Sequence, residues 1–314
     1  MSIENNNPSL EITLAKKDAV VVIYGTTASN KSMLALDIAQ NLALQNINSV
    51  IINADSSQVY KEVLILNNSP TDFEKNLVPH KLFNFISLND EFSVGTWLTL
   101  AVAEIKTALK NNEVPIVVGG TGLYISALLY GLSKLPSSLE AKNEAIELYN
   151  NIGHNSFLDK IKNIDPIFVQ KFTDSQRLIR FYEVYLLTNK SILQLQAQNP
   201  PKKLLDANFC TIFIKKDRPV LINDIKNRFN KMIENNALDE VKNIDEKYFK
   251  KFLGAEELNL FLKNQVLLEQ AVEKACITTN QYAKRQTTWF KNKINTNFFV
   301  SNYKEKTIDV RKVF

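Results

Sequence analysis

A chain of 314 residues, 45% hydrophobic and 23% charged, can bury one good core and a smaller second one. Its apolar runs, such as residues 19–24 and 114–118, fall far short of the roughly 20 residues that cross a bilayer, so no membrane span is expected. Two distant cysteines, Cys210 and Cys276, and two histidines, His80 and His154, argue against a zinc site or a disulfide framework.

The formal charge of +5 is unevenly spread: residues 201–314 hold 22 Lys+Arg against 14 Asp+Glu, and residues 1–200 hold 16 against 19. A basic last third suits a polyanionic partner, because Lys and Arg that neutralise phosphates release condensed counterions. By charge alone it suits a solvated lysine-rich surface better, since Asn, Lys and Ile are abundant throughout. At the N-terminus, Met1, Glu4, Asn5, Asn6 and Asn7 show neither an apolar signal core nor an Arg-rich import pattern, which points to the cytoplasm.

In chain order, residues 19–24 form a β-branched apolar run ending at Gly25. Beyond Lys31 the apolar Met33, Leu34, Leu36, Ile38 and Leu42 recur at helical spacing, so the pattern predicts strand, loop, helix. Residues 49–53 read as a second buried strand, 97–109 as a helix, and 114–118 as a third strand before a Gly-rich turn. This alternation predicts an α/β fold in which helices flank a parallel sheet and ligands sit at the carboxyl ends of the strands. From about Leu135 the character changes: Pro136, Ser137 and Ser138 open helical stretches rich in Asn, Lys and Glu, with no convincing strand until residues 209–214. The expected organisation is a core over residues 1–133, a helical insertion over 134–205, and the rest of the core with a basic helical tail over 206–314. Within the tail, residues 221–241 predict one helix with Ile222, Ile225, Phe229, Met232 and Ile233 on its core-facing side.

Gly25-Thr26-Thr27-Ala28-Ser29-Asn30-Lys31-Ser32 fits the phosphate-loop pattern GxxxxGK[ST] at every position but one, where Asn30 replaces the second glycine. Such a loop aims backbone N–H groups into a concavity at a helix N-terminus, with a lysine for the phosphates and a hydroxyl for Mg²⁺. An Asn in that place must turn its side chain away from the ligand, and it tolerates unusual backbone angles better than most residues. The same letters could mark a non-binding turn, but the strand before and the helix after argue for a P-loop NTPase-like sheet. The loop alone indicates phosphate, not a reaction. Residues 115–118 run into Gly119-Gly120-Thr121-Gly122 with no following carboxylate, unlike the metal-holding strand of an ordinary ATPase or GTPase. After the second strand comes Asp55-Ser56-Ser57-Gln58-Val59-Tyr60, where Asp55 by itself fits a helix N-cap or turn former as well as a catalyst.

Taken together, five segments resemble the tRNA dimethylallyltransferase family in order and spacing. They are Gly25 to Ser32, Asp55 to Tyr60, Val118-Gly119-Gly120-Thr121-Gly122-Leu123-Tyr124, Gln176-Arg177-Leu178-Ile179-Arg180, and Gln281-Tyr282-Ala283-Lys284-Arg285-Gln286-Thr287-Thr288-Trp289-Phe290. Val78-Pro79-His80, Glu183-Val184-Tyr185 and Asp217-Arg218 are smaller matches between them, and the likeness covers about residues 19–292. The resemblance implies a monomeric enzyme that moves a dimethylallyl group from its diphosphate to the exocyclic N6 of the adenine beside the anticodon of a tRNA. It implies that Gly25, Thr26, Thr27, Ala28, Ser29, Asn30, Lys31 and Ser32 cradle the diphosphate, with Lys31 on its oxygens and Ser32 near Mg²⁺. It implies Asp55 as general base and Thr121 as a contact of the reacting adenine and the donor. Asp55, Ser56, Ser57, Gln58, Thr121, Gln176, Arg177, Leu178, Ile179 and Arg180 then match places that touch the anticodon stem-loop, and Arg177 also a place that steadies diphosphate.

In the tail, Tyr282, Trp289 and Phe290 fit a core with solvated Lys284 and Arg285; with the family match, Lys284 and Arg285 are expected to contact RNA. Three positions depart from the family pattern: Asn30 for glycine, Ser69 for a lysine and Asn280 for an arginine. Two of these remove positive charge, and each charge-assisted hydrogen bond lost near a diphosphate costs about 1.5–3 kcal/mol. Two other classes fit parts of the sequence: a relative that binds RNA without turnover, and a P-loop small-molecule kinase that would use Lys31 and Ser32 on ATP and Mg²⁺.

Overall fold

The computed structural model describes residues 9–14, 18–303 and 307–312; the N-terminal residues Met1, Glu4, Asn5, Asn6 and Asn7 lie outside them. In chain order the first elements are Ser9–Leu14 (β1), Ala19–Gly25 (β2), Lys31–Leu44 (α1), Ser49–Asn53 (β3), Asp72–Leu77 (α2), His80–Lys81 (β4), Val94–Lys110 (α3), Val114–Gly119 (β5) and Gly122–Tyr130 (α4). Four helices follow: Leu139–Ile164 (α5), Pro166–Lys171 (α6), Ser175–Thr188 (α7) and Ile192–Gln198 (α8). The last part holds Asn208–Lys215 (β6), Arg218–Glu234 (α9), Ala237–Lys242 (α10), a 3₁₀ turn at Glu246–Lys251, Ala255–Leu262 (α11), Leu268–Lys293 (α12), Phe298–Ser301 (β7) and Thr307–Lys312 (β8).

All seven residues of β2 are buried, as an apolar strand is when both faces of a parallel sheet are covered. It lies inside a six-stranded sheet of order β4-β3-β5-β2-β6-β7 in which every neighbouring pair is parallel. The chain leaves β2 for β3 and β4, returns to place β5 between β3 and β2, and then continues on the opposite side with β6 and β7. That reversal puts the carboxyl ends of β2, β3 and β5 at a crevice, where open α/β sheets bind ligands. The expected parallel α/β architecture is present.

Two apolar clusters hold this part together. Leu34, Ile38 and Leu42 of α1 are fully buried against Val21, Ile23, Ile51, Ile116 and Ile214 of the sheet, with Met33 and Leu36 partly buried beside them. Each fully buried side chain of this size contributes about 1.5–3 kcal/mol, so α1 anchors the loop that precedes it. The second cluster joins Val59, Val63 and Leu66, just after the carboxylate turn, to Ile225 and Phe229 of α9, Leu258 of α11 and Ala271, Ala275 and Ala283 of α12. Cys210 and Cys276 pack against the first and second cluster respectively. Burial pushes both thiols up, Cys210 to about 12.

Residues 130–203 form a compact unit of their own. Its core gathers Phe157, Ile161, Phe168, Leu178, Phe181 and Val184 from α5, α6 and α7. Asp174 caps α7 by accepting from the Arg177 N–H, and Asp165 caps α6 by accepting from Phe168. Gly153 interrupts α5 with φ 76°, a left-handed value that a β-carbon disfavours.

Two expectations for the tail are corrected. The helix expected over residues 221–241 is two helices, α9 and α10, divided at Asn236, whose φ is 65°; asparagine adopts this conformation at little steric cost. Ile222, placed on the core face, is 44% exposed. Nor is the end of the tail helical: β7 extends the main sheet beside β6, and β8 pairs in parallel with β1. Both partners are distant in sequence, so local periodicity could not reveal the pairing.

Candidate active site

The loop after β2 carries two non-glycine residues in the left-handed region, Ala28 at φ 56° and Asn30 at φ 66°. Asn30 is the N-cap of α1, and its amide donates to the Tyr303 carbonyl at 3.0 Å. The residue that stands for glycine thus adopts the glycine-like conformation and commits its side chain to the tail. The other two departures are also engaged: the Ser69 hydroxyl accepts from Asn84 at 2.9 Å, and Asn280 donates to the Cys276 carbonyl at 2.9 Å.

Lys31 Nζ donates to the Thr26 carbonyl at 2.6 Å. The hydroxyls of Thr26 and Ser29 are buried without a hydrogen-bond partner, an expensive state unless a ligand satisfies them. Arg228, from the distant α9, reaches the same loop: its guanidinium donates to Thr27 Oγ1 at 2.8 Å and to the Leu66 carbonyl at 3.3 Å. Burial holds the Arg228 pKa below its ordinary value, opposed by Asp55. Burial first, then the cations Arg228 and Lys216, lower Lys31 from 10.5 to about 8, with Asp55 pulling the other way. Lys216 itself is buried and ion-paired with Asp224.

A titration follows from these shifts. An anion favours the charged lysine, so diphosphate binding above the free-state pKa must take up a proton. Affinity for inorganic pyrophosphate is expected to be nearly level up to about pH 8. Above that it should weaken by as much as about tenfold per pH unit, until the pKa of the complex is reached. Calorimetry from neutral to alkaline pH in buffers of different ionisation enthalpy would show this; a flat profile without proton uptake would remove Lys31 from the phosphate site.

At the adjoining strand ends, Asp55 and Thr121 come together. Gly119 permits this, because a β-carbon there would lie 2.1 Å from the backbone of Ala54. The Thr121 N–H donates to the Ala54 carbonyl at 3.2 Å. Thr121 Oγ1 accepts from the Ser56 N–H at 2.8 Å and donates to the Ser56 hydroxyl at 3.1 Å. Asp55 Oδ1 accepts from the Ser57 N–H at 3.1 Å and the Ser57 hydroxyl at 2.8 Å, which makes Asp55 a turn former; among the described residues it caps no helix. Behind it, Asn53 Oδ1 accepts from the Asp55 N–H at 2.7 Å, and Asn53 donates to the carbonyls of Asp55 and Leu82 at 2.9 Å. Trp97 donates to the Asn53 carbonyl at 2.7 Å and stacks on Tyr124 with centroids 4.4 Å apart. Burial, with smaller effects of Tyr60 and Asp55, keeps the Tyr124 phenol protonated far above its usual range. Gln58 spends its amide nitrogen on the carbonyls of Asn67 and Asn68, each at 3.0 Å.

Of the remaining expected residues, Gln176, Arg177, Leu178, Ile179 and Arg180 lie on α7, within the unit of residues 130–203. Leu178 is buried in that unit's core and Ile179 packs against it. Gln176 is exposed, Arg177 pairs with Asp174 at 2.8 Å, and Arg180 pairs with the buried Glu183 at 2.6 Å. On α12, Lys284 and Arg285 face solvent, Phe290 is buried, and Tyr282 and Trp289 are half-buried. Trp289 packs so closely on Gly122 that a β-carbon there would lie 2.4 Å from its ring.

Two site residues escaped the reading of the sequence. Arg228 falls at helical spacing with Leu221, Ile225 and Met232, all buried. Gln286 falls with Ala271, Ala275, Ala283 and Phe290 on the buried stripe of α12. For Arg228 the available signal was a polar side chain on an otherwise apolar helix face; Gln286 shares its stripe with the buried Thr279, and its signal was its place in the segment from Gln281 to Phe290.

Known proteins resemble this chain in sequence and in fold. The sequence model described as IPP transferase matches residues 58–293. A tRNA dimethylallyltransferase of Rickettsia massiliae is 36% identical over 311 residues, covering 96% of this chain and 84% of the relative. One of Pelagibacter ubique is 36% identical over 290 residues, covering 90% and 91%. Among solved structures, the tRNA delta(2)-isopentenylpyrophosphate transferase of Staphylococcus epidermidis superposes with a TM-score of 0.60 at 27% identity, over 93% of this chain and 95% of that one. A eukaryotic dimethylallyltransferase acting on tRNA shares the fold, with a TM-score of 0.70 at 24% identity over 91% and 74%. The family model begins beyond Asp55 and takes in α12, and by it and the relatives at 36% identity the chain belongs to the IPP transferase family of prenyltransferases.

Proposed function

We propose that this chain transfers the dimethylallyl group of dimethylallyl diphosphate to the exocyclic N6 of the adenine adjacent to the anticodon of tRNA. The observation that carries the proposal is the meeting of two largely buried cations, Lys31 and Arg228, at a loop on the strand end beside the Asp55–Thr121 pair. In the reaction a bond forms between the adenine nitrogen and C1 of the prenyl group while the C1–oxygen bond breaks and diphosphate leaves. The nitrogen sheds a proton, which Asp55 takes. Lys31 and Arg228 stabilise the charge gathering on the departing diphosphate, an effect strengthened where water is excluded. Thr121, fixed by Ser56, is placed to orient the adenine. Because the target base is stacked in a folded RNA, it must be unstacked to reach the site.

The residues also fit a magnesium ion. Among the described residues no three His, Cys, Asp or Glu side chains gather into a metal cage, whereas Mg²⁺ commonly takes one or two protein oxygens plus phosphate and water. Ser32, exposed in the first turn of α1, would supply the protein oxygen, and the bound ion would neutralise diphosphate charge. Gln58, Gln176, Arg177 and Arg180, with Lys284 and Arg285 on α12, are the proposed contacts of the anticodon stem-loop. Among the described residues no helix is long and apolar enough to cross a membrane, and we place the enzyme in the cytoplasm as a monomer.

The test is transfer of radiolabelled dimethylallyl diphosphate to unmodified tRNA by the purified chain with Mg²⁺, with ATP hydrolysis followed in parallel. Label in the tRNA is the expected result. RNA binding without transfer would instead mark a protein that keeps the scaffold without turnover, and ATP hydrolysis would mark a kinase.

A further inference from the structure

Gln286 lies on α12 and is 7% exposed. Its Oε1 accepts from the Thr27 N–H of the phosphate loop at 2.9 Å, and its Nε2 donates to the Gly120 carbonyl at 2.8 Å. Thr27 is also the residue whose hydroxyl accepts from Arg228, and Gly120 directly precedes Thr121. A β-carbon on Gly120 would fall 2.8 Å from Gln286 Nε2 and 3.2 Å from Asp55 Oδ2, so glycine is what lets amide and carboxylate approach this backbone together.

A buried primary amide is a costly choice where a hydrocarbon would pack, and it is tolerated only when its donor and acceptor are both satisfied. The demand here is directional: an acceptor towards the loop and a donor towards the turn. Glutamate lacks the donor, lysine lacks the acceptor, and methionine fills the same space with neither.

We propose that Gln286 is a positioning residue that ties the donor loop to the Thr121 turn, so that diphosphate seated in the loop fixes the place of the groups facing the adenine. This role rests on the transferase reading above. Its consequence is a split between binding and chemistry: each substrate alone is held by other residues, whereas their relative placement passes through this amide. Misplacement by an ångström is enough to cost about a hundredfold in rate. Lys284 and Arg285 precede Gln286 on the same helix and face solvent, so α12 also connects the donor loop to a basic outer face.

The experiment has two arms. In the first, Gln286→Met and Gln286→Glu are compared with the unaltered protein, with thermal unfolding as a check on folding. Single-turnover transfer at saturating substrates is expected to fall about 10- to 100-fold in both, with the dissociation constants of tRNA and inorganic pyrophosphate changed by less than about threefold in the neutral variant Gln286→Met. Transfer within about twofold of the unaltered rate in a folded variant, or loss of pyrophosphate binding in step with transfer in Gln286→Met, would overturn the proposal. The second arm needs neither variant nor turnover. Hydrogen exchange of residues 119–124 in the unaltered protein is expected to slow when pyrophosphate binds; unchanged exchange at saturating pyrophosphate would overturn the coupling. Absence of any transfer by the unaltered protein would count against the transferase reading, while the exchange arm would still decide the role of Gln286.

Discussion

Asp55→Asn is expected to lower transfer at saturating substrates by about 10²–10⁴ while leaving tRNA affinity unchanged, the range found when a positioned general base is lost. The substitution is chosen for what it keeps. Asn retains an Oδ1 that can accept from the Ser57 N–H and hydroxyl, and the backbone contacts of Asp55 with Asn53 do not involve its side chain. What disappears is the proton acceptor and one negative charge. Because Asp55 raises the Lys31 pKa, its loss lowers that pKa further, and pyrophosphate binding in the variant is expected to begin weakening at a lower pH than in the unaltered protein. A filter-binding measurement on tRNA beside a rapid-quench measurement of transfer separates the two effects. Binding and transfer lost together would make Asp55 a structural turn former and would require another base.

Lys31→Ala should produce the complementary pattern. Donor affinity and transfer are both expected to fall by one to two decades, the equivalent of about 1.5–3 kcal/mol for a charge-assisted hydrogen bond, with tRNA affinity unaffected. The part of the weakening above about pH 8 that comes from Lys31 should be missing in this variant, leaving only the ionisation of pyrophosphate itself. Stability should move in the opposite sense. A lysine lowered from 10.5 to about 8 by folding opposes folding whenever it is charged, and that opposition is relieved as pH rises from about 8 towards 10.5. At neutral pH the variant is therefore expected to melt no lower than the unaltered protein, unless the Lys31 bond to the Thr26 carbonyl outweighs the relief. Differential scanning calorimetry at neutral pH measures which is larger, and unchanged pyrophosphate affinity would count against Lys31 as a phosphate ligand.

Asn30 shows how far local chemistry carries. A glycine is usual at this position because the loop needs a left-handed residue before its helix, and Asn meets that need at φ 66°. The sequence also requires the side chain to leave the ligand's space. Only the fold supplies its destination, the Tyr303 carbonyl, 273 positions away.

What the sequence determined by itself was whatever depends on neighbours along the chain. Runs of buried β-branched residues, helical spacing after Lys31, and the turns at Gly25 and Gly119 were enough for a parallel α/β sheet, a phosphate loop and a carboxylate at a strand end. Ordered motifs were enough for the family. The tertiary structure alone decided which surfaces those pieces meet. Arg228 contacts Thr27 across 201 positions and Gln286 contacts it across 259, and both side chains sit on helix stripes that otherwise read as plain core. The short strands β4 and β7 were invisible for the same reason, since a two- or four-residue segment becomes a strand only beside its partner. Periodicity tells which face of an element is buried. It says nothing of what buries it, because that is settled by packing between segments hundreds of residues apart, and here that packing assembles the cations and the amide around the loop.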